Sequence, residues 1–506
     1  ASAGAGNITL GGDIGTASVS GATTIDIGNA DTGTLSLDGA DYSSTGIQTF
    51  TADAFDLAGT DPTFSTAGVN INFVDGGAAT DMILGNTADL EINTNLAGNA
   101  AGNISIADNI TIKGIQNNDA QDVVLNAGTS TGTVTVKAIG TSTAEINDVT
   151  ITGGGGIFLR GDITTTTFTP SSGTEDTGDV VINSAAEITA NDVTIDTSNG
   201  TGGSVDFNST INSTTSNQAL TINSGGGAVA IDDVIGGNAD DHLDGLTINA
   251  SGTGAITLAS IGAHAEQGVD GGNVAIGNDT TTLVTLSGAD YHANGSITVK
   301  ATSATGGNDG ENIKFTAGAL TEVKTVDDDI NFLTGVIYLS DGNDLTVKSN
   351  GGAITINSIM GEAEKDADVI LNADAGVDTT GENVTVGAIG SGNEIAAVTI
   401  AGRDGITLKG NITLSNKAGA DLDIDGAVTI DGSVTIDTDN ASATRDLGDG
   451  NGSVTVHQDG DINFSSTIDA EGTSDDLTLT SGSGTLTLGG HVGGSTALDS
   501  FTVNSS

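Results

Sequence analysis

The residues best placed to do chemistry in this sequence are acids gathered at turns. Gly236-Gly237-Asn238-Ala239-Asp240-Asp241-His242-Leu243-Asp244-Gly245 puts carboxylates and an amide into one Gly-rich stretch. Asp341-Gly342-Asn343-Asp344 and Asp327-Asp328-Asp329 repeat the theme. Hard cations take several oxygen ligands from such groups at turns. Asp240, Asp241, Asp244, Asp341, Asn343 and Asp344 are therefore the candidate ligands, and calcium is the candidate ion. The competing reading is ordinary turn chemistry, because Asp, Asn and Gly favour turns without any ion.

Other chemistry is sparse. With no Cys there are no disulfides, thiolate metal sites or Cys nucleophiles. His242, His264, His292, His457 and His491 are scattered, and none stands in metal-ligand spacing with another. Arg160 and Arg403 fall at matching places in two halves of the chain, and solvated pairs with a nearby Asp explain them most simply. Serine-nucleophile motifs are absent. The sequence predicts no catalytic centre and no cofactor other than a calcium ion.

The charge balance narrows the partners. Asp and Glu number 66 against 12 Lys and Arg, a net charge of −54. Nucleic acid needs a basic surface, as does an anionic membrane; neither is expected as a partner. No apolar run reaches the roughly 18 residues of a membrane span. The chain begins at Ala1, as would an exported protein with its signal removed or an internal piece of a longer one.

The elements that must position these residues are short strands. Gly is 77 of 506 residues, Pro 2 and Trp 0, with aromatics at 3%. Val, Ile, Leu and Ala alternate with Thr, Asn, Asp and Ser, and period-two alternation is a strand signature. In Gly6-Asn7-Ile8-Thr9-Leu10, Ile8 and Leu10 share one face and Thr9 takes the other. Gly352 to Gly361 and Gly484 to Gly493 have the same spacing. Nothing shows sustained helical periodicity.

The chain also repeats itself. Gly39-Ala40-Asp41-Tyr42 recurs as Gly288-Ala289-Asp290-Tyr291, Val193-Thr194-Ile195-Asp196-Thr197 as Val434-Thr435-Ile436-Asp437-Thr438, and Ile8-Thr9-Leu10 as Ile256-Thr257-Leu258. The order is kept at offsets of roughly 240–250 residues, the mark of a tandem architecture. The copies are predicted as 1–247 and 248–506, the second continuing the first. The predicted fold is all-β, a right-handed parallel β-helix (β-solenoid) of about twenty coils at ~20–25 residues each. So narrow a column is expected to exclude large rings. The final Phe501-Thr502-Val503-Asn504 matches Leu246-Thr247-Ile248-Asn249 and shows no polar cap. Either the solenoid continues in a longer chain or its ends stack on neighbours.

The phrasing of Gly484 to Ser506 (GTLTLGGHVGGSTALDSFTVNSS), echoed throughout, resembles filamentous-haemagglutinin-type β-strand-repeat proteins, which are large bacterial surface adhesins and exoproteins. The resemblance implies secretion, a right-handed β-helix and a role in attachment or fibre building. An extracellular structural subunit that associates with its own copies is the leading expectation. An adhesin for a surface polysaccharide is the alternative, and would show a local aromatic or charged patch breaking the repeat; Tyr42 with Phe50, and Tyr291, are the nearest thing, with core packing the simpler reading. A β-helix polysaccharide lyase or hydrolase would need acids clustered with a basic residue in a groove, which the sequence does not display.

Overall fold

The computed structural model describes the chain except for residues 1–5, 17–21, 78–79, 86–87, 97–101, 116–120, 145, 168–177, 190–191, 215–217, 238–241, 253, 263–267, 303–310, 341, 363–366, 375–381, 391–394, 415–419, 440–442, 447–452, 457–458 and 506. By internal contact it divides into two compact units, Ala1–Thr257 and Leu258–Ser506. The described residues contain no α-helix. They form parallel strands stacked as a β-solenoid of about 16 turns.

In the first unit most coils carry three strands. Leu90–Asn93, Ile104–Ile106 and Ile110–Lys113 make one coil. They pair in parallel with Val123–Asn126, Val134–Val136 and Ala138–Ile139 of the next. Pairing in register stacks like on like. Val123, Val149, Val180, Val205 and Val229 form one inward column, and Leu125, Ile151, Ile182, Phe207 and Ile231 another. All are buried. Burying one such side chain stabilises by about 1.5–3 kcal/mol. Alternation thus serves as the folding instruction: a one-residue slip would turn every apolar side chain outward. The second unit repeats the scheme, with Leu345, Val369, Val398, Leu422 and Ile462 in one column.

Two expectations need correction. The solenoid has about 16 turns, not about twenty. Matching corners lie 33, 26, 31 and 25 residues apart in successive coils of the first unit. One coil of the second unit takes 40 and includes an antiparallel pair, Ala443–Asp446 with Ser453–Val456. Corner loops lengthen cheaply, because closure entropy grows only logarithmically with length. Large rings are also admitted. Tyr42, Phe50, Phe55, Phe64 and Phe73 are buried together, with Tyr42 on Phe64 at 4.9 Å and Phe50 on Phe73 at 5.1 Å. Stacking between coils suits offset aromatic pairs.

The acids have a structural use at the corners. Asp61 Oδ1 accepts the backbone N–H of Asp89 one coil on, and the relay continues through Asp89, Asp122, Asp148 and Asp179 to the N–H of Ser204. Asn70 and Asn103 do the same on another corner, accepting from Asn103 and Thr133. The role therefore requires an acceptor oxygen and not a charge. Asp122→Ala should cost about 1–3 kcal/mol by orphaning the Asp148 N–H. Asp122→Asn should stay within about 0.5 kcal/mol of the parent. Denaturant melts of the two variants check this; equal losses would refute it.

Candidate functional site

Of the six oxygen-rich candidates, Asp244, Asn343 and Asp344 lie among the described residues. Asp240, Asp241 and Asp341 lie outside the described residues. Asp244 is half-buried, and its N–H donates to Gln218 O at 2.8 Å. Asn343 is fully buried; its amide donates to Thr321 Oγ1 at 3.1 Å and to Asp344 O at 3.0 Å. Asp344 Oδ1 accepts the Asp368 N–H at 2.9 Å. Asp329 likewise accepts from Ala353 N–H at 2.8 Å. The side chains of Asn343 and Asp344 thus bond from coil to coil, as in the acid relay. Burial and the neighbouring Asp344 carboxylate push Asp368 above the ordinary carboxylate range, against the pull of the Ala397 N–H.

The Gly-Ala-Asp-Tyr repeat proves to be a corner device. Tyr42 Oη accepts the Gly39 N–H at 2.8 Å, and Tyr291 Oη accepts the Gly288 N–H at 2.9 Å. A Cβ on Gly39 would stand 2.7 Å from Gly12 backbone, and one on Gly288 2.3 Å from Ser260 Oγ. Both rings are buried, so neither forms a surface patch. Burial pushes the Tyr291 phenol well above its ordinary value.

Next to Tyr291 the copies part company, and here side chains converge that sequence spacing kept apart. Asp290–Ala293 pairs in parallel with Leu320–Thr325, setting Asp290 beside Glu322 and His292 beside Lys324. Tyr291 points into the core, so Asp290 and His292 share the other face. His292 is nonetheless only 2% exposed. Its Nε2 lies 3.2 Å from Glu322 Oε2 and 3.8 Å from Asp290 Oδ1. Nε2 faces both carboxylates without a well-formed hydrogen bond to either. Lys348 Nζ donates to Glu322 Oε1 at 2.8 Å. Burial lowers the His292 pKa and Lys324 adds to this, outweighing the upward pull of Glu322 and Asp290. Burial would raise the Glu322 pKa, but Lys348, with His292 and Lys324, holds it below its ordinary value. Of the described side chains, Asp290, His292 and Glu322 form a group able to hold a metal ion.

The sequence reading missed this group because Glu322 comes from the next coil, at a distance set by loop length. A usable signal was present. The first copy has Ser43 where the second has His292, and Ser43 Oγ meets Ser65 Oγ at 2.7 Å.

The other singled-out residues that are described have separate surroundings. Arg160 pairs with Asp108. Arg403 lies 3.6 Å from both Asp374 and the buried Glu382. His264 and His457 lie outside the described residues; His242 is buried and His491 exposed. A groove of roughly 700 Å³ in the second unit is lined by Thr355, Thr385, Thr407 and Thr429. These hydroxyls sit in register on successive coils. Lys409 at its edge pairs with Asp431 at 2.7 Å. No helix of the described residues is long and apolar enough to cross a membrane. Compared with known proteins, the chain matches no family model, no curated protein and no solved structure.

Proposed function

We propose that this chain is an extracellular structural protein, a β-solenoid subunit that associates end to end with copies of itself. The observation that carries the reading is the in-register apolar stack, carried on by the strand Ser500–Ser505. That strand pairs with Asp476–Gly482 and sets Phe501 over Leu477 and Val503 over Leu479. Leu477 and Leu479 are fully buried, whereas Phe501 and Val503 are 40% and 45% exposed. The apolar columns therefore run on into this strand, and pairing of this kind can be repeated by any strand that presents its edge, a second copy's included.

The sequence names the fitting occupant. Leu246–Asn249, the counterpart of Phe501–Asn504, is followed along the chain by Ile256–Leu258, the counterpart of Ile8–Leu10. A second copy offers that sequel in Gly6–Leu10, whose Ile8 and Leu10 stack on Leu35 and Leu37 and are only half-buried. Contact between unlike ends is heterologous and builds an open filament wherever its rotation does not close a ring. The extracellular setting rests on the resemblance to haemagglutinin-type repeat proteins.

Sedimentation velocity tests the association. The chain should sediment faster as its concentration rises in physiological salt, and Val503→Lys should remove that rise. A single slow species at every concentration would overturn the proposal.

A second reading has its own observation. The in-register threonines of the groove present hydroxyls at the ~4.8 Å strand spacing, a surface suited to an extended polysaccharide. Binding of soluble glycans to the groove without self-association would favour that adhesin.

A further inference from the structure

We propose that Asp290, His292 and Glu322 form a binding site for one borderline transition-metal ion of the zinc type. The site goes beyond the structural role and does not depend on it. Three observations carry it. The first is geometric: a ligand atom from each residue lies within 4.8 Å of the other two. Zinc held at ~2.0–2.1 Å needs ligand atoms about 3.4 Å apart. The gap from His292 Nε2 to Glu322 Oε2 is 3.2 Å and that to Asp290 Oδ1 is 3.8 Å. A small carboxylate rotation closes the difference.

The second is the nitrogen itself. A buried polar atom is costly when it has no partner. Nε2 belongs to a side chain 3% exposed, faces two carboxylates and makes no well-formed hydrogen bond. With its proton on Nδ1, the imidazole offers Nε2 as a lone-pair donor. The third is the break in the repeat. The first unit holds Ser43 and Thr63 at the places of His292 and Glu322, and there Ser43 is satisfied by Ser65. The group is thus a local departure of the second unit from a corner that otherwise closes on itself.

The neighbours choose the metal. Lys348 occupies Glu322 Oε1 and leaves Oε2 to the ion, the kind of outer contact that orients a ligating carboxylate. Lys324 and Lys348 oppose any cation electrostatically. That disfavours calcium, which is held by charge and many oxygens, and favours an ion that bonds strongly to imidazole nitrogen. With three protein ligands, a fourth position remains for water or a donor from a partner.

Calorimetric titration of the full chain with Zn²⁺, and visible spectroscopy with Co²⁺, tests the proposal. One saturable site is expected, with the intense visible absorption of low-coordinate Co²⁺. His292→Ser, the residue the first unit carries there, should weaken it by at least about 100-fold, since even outer partners are worth about 10–100-fold. Glu322→Gln should weaken it at least about tenfold, and excess Ca²⁺ should not compete. Circular dichroism confirms that each variant keeps its β-structure, and Glu322→Gln decides the matter if His292→Ser does not fold. No saturable binding, or affinity unchanged in the folded variants, overturns the site; displacement by Ca²⁺ overturns the zinc-type assignment.

Discussion

Ile151→Asp is expected to unravel the coils on either side of it. Ile151 is fully buried, with Leu125 beneath it and Ile182 above. A carboxylate there has no partner and would need protonation or local opening to survive, a cost on the order of 4–5 kcal/mol or more. Each coil touches only its neighbours, so the loss should spread along the stack and fade with distance. Hydrogen exchange is the appropriate readout, because long repeat arrays need not unfold in one step. Protection should fall in Val123–Asn126, Val149–Thr152 and Val180–Ile182, and survive in Thr32–Leu37. Thr150→Asp, one residue away on the outer face, should stay within about 0.5 kcal/mol of the parent. Equal damage from the two substitutions would mean that the alternation does not define the core.

The second large effect is expected at a corner. Gly140 and Gly318 share a φ of 72°, a backbone conformation L side chains rarely adopt. Their surroundings differ. A Cβ on Gly140 would lie 1.9 Å from Thr164 O in the next coil, while one on Gly318 would meet nothing within 4 Å. Gly318→Ala should therefore cost only the backbone term, about 1–2 kcal/mol. Gly140→Ala adds a collision with backbone that can relieve it only by parting the coils, and should cost more than about 3 kcal/mol. Thermal and denaturant melts of the pair separate conformational strain from close packing between coils. Equal losses would remove the close-packing claim.

Much of the fold is legible in the sequence because the solenoid encodes it locally. Val193-Thr194-Ile195 reads as in-out-in, and its burial follows that pattern. The coil count is less legible, since the 40-residue coil and the 24-residue ones carry similar solenoid strands and differ in what is inserted between them, here the antiparallel pair Ala443–Asp446 with Ser453–Val456. Ring packing is misjudged for a related reason. Tyr42 and Phe50 are close in sequence, but Phe64 and Phe73 reach them from the next coil. The His292 group is hidden in the same way, its parts 30 residues apart and joined only by register. Comparing the copies position by position exposes it, because Ser43 and His292 cannot satisfy the same corner.

The acids are the clearest case of a residue type with two plausible uses. Asn343 and Asp344 suggest a cation when read as a turn, yet their oxygens and nitrogens engage Thr321 and Asp368. A chain of −54 net charge is thereby reconciled with close stacking. Many of its carboxylates replace the hydrogen bonds that backbone N–H groups lose at corners, and salt screens their mutual repulsion over about 8 Å at physiological strength.

Electron microscopy of the purified chain tests the central claim, end-to-end association by strand pairing, most directly. The expected image is unbranched fibres of one solenoid's width that lengthen with concentration and shorten to single particles for Val503→Lys. Separate particles of constant size at every concentration, alike for the parent and the variant, would contradict it.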